Sequence, residues 1–194
     1  MEKKRPEAFA QLIADWAGAA PVKLMFQDEA RFGRISDLRR CWAPFPVRPR
    51  CRGMPTHEYT YAYAAVDVLG GECDALILPH VNTRCTQIFL DEVAARHPDQ
   101  RIIMVLDGAG WHRSAARRSP SNMRLLRLPP YAPELNPVEP IGDELREKYF
   151  HNNAFDSIDA LEDPLSDALL APEQDTPRVQ SMVARDWIIN ALLK

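Results

Sequence analysis

No apolar run in the 194 residues approaches the ~20 needed to cross a bilayer, so a membrane-spanning helix is excluded from the reading. The opening Met1-Glu-Lys-Lys-Arg5-Pro6 lacks the apolar centre of a secretory signal, and the expected location is the cytoplasm. The four cysteines (Cys41, Cys51, Cys73 and Cys85) form no Cys-x-x-Cys pair. They read as free thiols in a reducing compartment rather than as a zinc site. The five histidines are equally scattered, and no internal repeat is visible. What is present is enough apolar residue, 46%, for one substantial core in one domain with short appendages.

The formal net charge of −3 argues against a nucleic-acid binder, but the charge is unevenly spread. Seven arginines and one acid, Asp37, fall between Arg31 and Arg52, and five arginines and no acid between Arg113 and Arg127. From Glu134 onward, 13 acids face five basic residues. Segregation of this kind can build a phosphate-binding surface on an acidic protein, although each basic stretch alone is equally compatible with a solvated loop.

The chain is organised around Ile102-Ile-Met-Val-Leu106, five apolar residues ended by Asp107 and Gly108-Ala-Gly110. The run suits a strand buried on both faces. Val22–Phe26 reads as a shorter strand closing on Asp28, followed from Arg31 to Thr56 by a loop-rich excursion. Tyr59, Tyr61 and Tyr63 alternate along a second strand, and a turn at Leu69–Glu72 returns Cys73–Leu78 antiparallel. Asn82 or Thr83 caps a crossover helix carrying Ile88, Phe89 and Val93. Arg124–Leu128 forms another strand, and helices are expected over 138–150 and along the stripe Ile158, Leu161, Leu165, Ala168 and Leu169, the latter kinked or restarted at Pro164. The order implies a mixed five-stranded α/β domain. Residues 1–21 read as a linker helix remnant, 22–171 as the domain, and 172–194 as a tail docking back on it.

Three acids stand out by position. Asp28 ends the first strand, Asp107 the buried fourth, and Glu139 opens the helix after a proline-rich loop. With the first and fourth strands parallel neighbours, Asp28 and Asp107 would sit side by side, with Glu139 across the crevice that open α/β sheets use for chemistry. Three converging carboxylates need a counter-charge. Hard divalent ions meet that need, and two ions ~3.5–4 Å apart can clamp an in-line phosphoryl displacement. Each acid also has a plain reading. Asp28-Glu29 would be solvated at a strand end, Asp107-Gly108 a turn, and Asn136-x-x-Glu139 a capping box with Pro137 at the first helical position.

Three blocks carry a resemblance. They are Leu24-Met-Phe-Gln-Asp28-Glu-Ala-Arg31-Phe-Gly33, Val105-Leu-Asp107-Gly-Ala-Gly-Trp111-His112, and Leu128-Pro-Pro-Tyr131-Ala-Pro-Glu-Leu-Asn136-Pro-Val-Glu139. Together they resemble the signature blocks of mariner-like DDE transposases, bacterial insertion-sequence branch. The resemblance implies an RNase H-like fold and metal-dependent DNA cleavage and strand transfer. Asp28, Asp107 and Glu139 would be catalytic and would bind two Mg²⁺ or Mn²⁺ ions. Arg31, Arg34, Trp111, His112 and Arg113 would contact DNA, with core packing an equal reading for Trp111. Tyr131 and Asn136 would shape the loop presenting Glu139. Partners would be element ends and target DNA, with a separately encoded helix-turn-helix chain and a second copy of this chain as further candidates.

The chain also departs from the family. It begins 27 residues before Asp28, which leaves no room for the usual helix-turn-helix domain. The expectation is a catalytic fragment, a split-frame product or a truncated element. After Glu139 the family tends to place a bulky aromatic, where this chain has Pro140-Ile141-Gly142. In a helix begun at Pro137, Pro140 would cost up to ~3 kcal/mol and Gly142 a further ~1 kcal/mol. A start at Pro140 would instead make Glu139 a cap residue. Impaired activity is therefore expected. Two competing readings are a non-catalytic DNA-binding or oligomerising remnant and a stand-alone nuclease acting on RNA–DNA hybrids.

Overall fold

Alternating side chains in Leu24–Phe26 and Ile102–Leu106 are buried on both faces, so each strand must be sandwiched between layers. The computed structural model describes residues 16, 21–35, 40, 42–50, 57–107, 118–128 and 136–184. It shows β1 (Val22–Gly33), β2 (Tyr59–Asp67), β3 (Cys73–Leu78), α1 (Thr83–Arg96), β4 (Arg101–Leu106) and β5 (Met123–Arg127). Then come α2 (Glu139–Leu145) with a π-helical turn (Arg146–Phe150), α3 (Ile158–Gln174) and α4 (Thr176–Val183). The sheet order is β3-β2-β1-β4-β5. β1, β2 and β3 are antiparallel, while β4 and β5 run parallel to β1. The expected mixed five-stranded sheet is what forms.

Two apolar layers result. Met25, Tyr63, Ala65, Ile102 and Met104 pack with Phe89, Leu90 and Val93 of α1 on one face. Leu24, Phe26, Ala64, Ile103 and Val105 pack with Ile141, Leu161, Leu165, Val179 and Val183 from α2, α3 and α4 on the other. Asn82 is the N-cap of α1, its side chain accepting from the Cys85 N–H at 2.9 Å. The β2–β3 turn falls at the expected place. Its Gly71 has φ +74°, and a Cβ there would lie 2.2 Å from the Thr176 carbonyl oxygen, so only glycine lets α4 close over the turn.

Three expectations change. β1 does not end at Asp28 but continues five residues to Gly33, because Glu29–Gly33 pair with Tyr59–Tyr63 of β2. The polar positions Glu29 and Arg31 hid this extension. Of the two outcomes expected at Pro164, a restart does not occur: α3 runs unbroken through it, with Leu161 and Leu165, both fully buried, holding it to the sheet on either side of the lost backbone bond. It also runs past position 172, and Val179 and Val183 of α4 belong to the main core. Apart from the Trp16 ring, which packs under Arg101 and Arg124, the amphipathic N-terminal segment lies outside the described residues, as do the last ten residues.

Candidate active site

The site begins where the parallel ladder stops. The last register pair of β1 and β4 is Phe26 with Val105, so two residues further along each chain Asp28 and Asp107 reach the same level. The side-by-side placement expected from sequence therefore follows from backbone pairing. Strand alternation puts Asp28 on the face of Leu24 and Phe26, toward α2.

Burial pushes the Asp28 carboxyl up to about 7, with the charges of Glu29, Asp107 and Glu139 adding to the rise. The Glu29 backbone N–H, donating to Oδ1 at 2.9 Å, opposes it. Asp28 thus feels the charge of both other candidate acids.

Glu139 is exposed, at the first residue of α2. The N-cap is Val138, whose side chain makes no capping bond, and Pro140 falls at the second helical position. A proline there has no intrahelical N–H bond to lose, so the expected cost at Pro140 does not arise. The expected capping box does not form either. Asn136 stands two residues before the N-cap and accepts instead from the Val138 N–H at 3.2 Å. Gly142 lies against β1, where a Cβ would sit 3.2 Å from the Ala30 Cβ. The glycine counted as a helix cost is thus a close seat for the helix on β1.

Between β1, β2 and α2 runs a cleft of about 170 Å³ floored by Ala62 and Ala64 and rimmed by Asp28, Glu139, Asp143 and Arg146. Sequence reasoning missed Arg146. Its guanidinium bonds Asp143 Oδ1 at 3.0 Å and lies 5.5 Å over the Phe32 ring. The available signal was its spacing, two helical turns after Glu139.

Of the expected DNA contacts, Arg31 and Arg34 can be placed, and neither reaches into the cleft. Arg31 is exposed on the opposite face of β1, 4.6 Å over the Tyr59 ring. Arg34 is buried and its guanidinium is committed to Glu58 and to the carbonyls of Phe155 and Asp156. It ties the end of β1 to the start of α3, which is a structural tether in place of the expected phosphate contact. Trp111, His112, Arg113 and Tyr131 lie outside the described residues.

A divalent ion fits the chemistry of this donor set, which is all carboxylate oxygen. Among the described residues, however, no three His, Cys, Asp or Glu side chains already converge closely enough to hold a metal. Mg²⁺ is commonly held by one or two carboxylates together with waters and substrate phosphates, so a preformed cage is not required.

A five-stranded sheet in the order β3-β2-β1-β4-β5, with β4 and β5 parallel to β1, is an RNase H-like fold. Residues 23–162 match the family model described as DDE superfamily endonuclease, and the chain belongs to that family. It is 30% identical over 130 residues to the uncharacterized protein y4pE/y4sA of Sinorhizobium fredii (strain NBRC 101917 / NGR234), covering 66% of this chain and 96% of the relative. Among solved structures it is similar to the Mos1 transposase paired-end complex with left transposon end, with TM-score 0.62 and 18% identity over 93% of this chain. The Mos1 mariner paired end complex with Mn gives 0.61 and 16%, also over 93% of this chain. The chain spans 56% and 57% of those two Mos1 chains, which establishes a shared fold. Among the described residues no helix is long and apolar enough to cross a membrane.

Proposed function

We propose that this domain cleaves DNA strands and joins the resulting ends to target DNA in a divalent-metal-dependent reaction, as the catalytic part of an insertion-sequence transposase. The supporting observation is the placement of Asp28 and Asp107, each two residues past the last β1–β4 register pair, with Asp28 within electrostatic reach of Glu139. Family membership and the likeness to Mos1 support the same reading. Asp28, Asp107 and Glu139 would hold Mg²⁺ or Mn²⁺, two ions in the full reading. Bound there, the metal supplies Lewis-acid stabilisation of phosphoryl charge and lowers the pKa of water.

The chain's own residues contribute the rest. Asp28 would hold the ion as a carboxylate, so its proton would have to leave to water on binding. Ala62 and Ala64 leave the cleft floor open to a phosphodiester, and Arg146 offers a cation on its rim. Arg31, from the other face, together with Trp111, His112 and Arg113, would meet DNA beyond the cleft. A separately encoded helix-turn-helix chain and a homodimer remain proposed partners.

The competing reading, a non-catalytic DNA-binding or oligomerising remnant, draws on the absence of a preformed three-ligand cluster among the described residues. Incubating the chain with Mn²⁺ and duplex DNA, including the sequences that flank its reading frame, separates the two. The proposal expects Mn²⁺-dependent nicks with free 3′-hydroxyls that vanish in Asp107→Asn. DNA binding without nicking, or nicking unchanged by that substitution, favours the remnant.

A further inference from the structure

Asn136 is buried, 8% exposed, between the two halves of the site. Its Nδ2 donates to the Gln27 carbonyl at 3.3 Å across 109 residues of sequence, while its Oδ1 accepts from the Val138 N–H at 3.2 Å. Gln27 and Val138 are the residues immediately before Asp28 and Glu139. A single amide therefore bridges the peptide units that carry two of the three acids. The β1–β4 register ends at Phe26, so Gln27 is the first residue past it, and a side chain supplies this donor.

A helix-capping role does not account for the contact. Asn136 Oδ1 accepts from the N–H of Val138, which already has helical angles, as a cap would, but that uses only the amide oxygen and leaves the Nδ2 bond to Gln27 unexplained. Its accepting bond closes only a local turn, and its donating bond serves only the link to β1. Without that link α2 would rest on β1 through apolar contacts and the Gly142–Ala30 approach, which resist separation better than sliding.

We propose that Asn136 is a positioning residue that sets where Glu139 stands relative to Asp28 and so tunes the affinity of the site for a divalent ion. This rests on the metal-site reading given above. Partners one step removed from a metal typically change its affinity ~10–100-fold when removed. Asn136→Ala removes both bonds. Asn136→Ser retains a short acceptor for the local turn but does not span to Gln27.

The test is titration of Mn²⁺ into the full chain, with free Mn²⁺ read by electron paramagnetic resonance and folding checked by circular dichroism. Both Asn136→Ala and Asn136→Ser are expected to weaken binding at least ~10-fold while still folded. In a Glu139→Gln background, Asn136→Ser is expected to change the residual binding by less than ~2-fold, because the residue acts through Glu139. Wild-type affinity in Asn136→Ser would show that only the local turn matters and would overturn the proposal, as would an undiminished effect in the Glu139→Gln background. Should Asn136→Ala not fold, the serine variant decides. Asp107→Asn separates the two levels. If it retains wild-type Mn²⁺ binding, the metal-site reading fails and the proposal with it; if it loses binding while Asn136→Ser does not, only the role of Asn136 is refuted.

Discussion

Asp28 lies within β1 and Asp107 directly after β4, each two residues past the last β1–β4 register pair, whereas Glu139 stands exposed at the start of a seven-residue helix. Asp28 is positioned by its pairing with Ala64 of β2, and Asp107 by following directly on the buried β4. The glutamate is positioned by how α2 docks: apolar burial of Ile141 and Leu145, the seat at Gly142 and the bridge at Asn136. One half of the candidate site is therefore tied to the sheet, and the other to the docking of a short helix. The contrast accounts for a site in which Asp28 senses the other two acids electrostatically without a three-ligand cage forming among the described residues.

The largest effect is expected on the half tied to the sheet. Asp107→Asn should lower metal-dependent strand cleavage by at least ~10³-fold, equivalent to several kcal/mol of lost charge stabilisation. Single-turnover assays in Mn²⁺ measure this, and a loss below ~10-fold would place the chemistry elsewhere.

Truncations on the two faces sharpen the comparison. Ile141→Ala beneath α2 and Leu90→Ala in α1 should each destabilise by ~2–5 kcal/mol in urea melts. Only Ile141→Ala should also weaken Mn²⁺ binding of the folded protein, because only it loosens the helix carrying Glu139. Equal effects of both on Mn²⁺ affinity would remove the distinction between the halves.

The pH dependence probes the junction. Folding raises the Asp28 pKa from 3.8 to about 7, so the native state binds the proton more tightly than the unfolded chain does. This contribution to stability is fully present below pH 3.8, declines as pH rises, and is lost once pH passes about 7. It amounts to a few kcal/mol at ~1.4 kcal/mol per unit. Metal-free melts should show this decline, Asp28→Asn should flatten it, and saturating Mn²⁺ should stabilise wild type more at pH 8 than at pH 5. A metal-free slope unchanged in Asp28→Asn would assign it to other groups.

The smallest stability effect is expected at the seat. Gly142→Ala gains ~1 kcal/mol of helix propensity but pushes a Cβ to 3.2 Å from Ala30. Thermal melts should move by no more than ~1 kcal/mol in either direction, while Mn²⁺ affinity falls. Affinity that stayed constant would show that α2 tolerates a shift of a few tenths of an ångström without moving Glu139.

What could be read from sequence follows the same division. The apolar run Ile102–Leu106 and the alternating tyrosines of β2 announce central strands, and the acid ending that run locates Asp107. Residues fixed by distant partners were not legible. Nothing near Arg34 signals that Glu58, Phe155 and Asp156 will surround it, and nothing near Asn136 signals a bond to Gln27. Pro140 read as a helix defect because its effect depends on a start at Pro137 or at Glu139, a difference of two residues. The extension of β1 to Gly33 was hidden because Glu29 and Arg31 break the apolar pattern while the backbone continues to pair.

Anomalous diffraction from crystals of the chain soaked in Mn²⁺ tests the central claim most directly. The account predicts a manganese peak between the Asp28 and Asp107 carboxylates, lost in Asp107→Asn, with Glu139 drawn toward it. A soaked crystal in which that position stays empty while manganese occupies other surface carboxylates would contradict it.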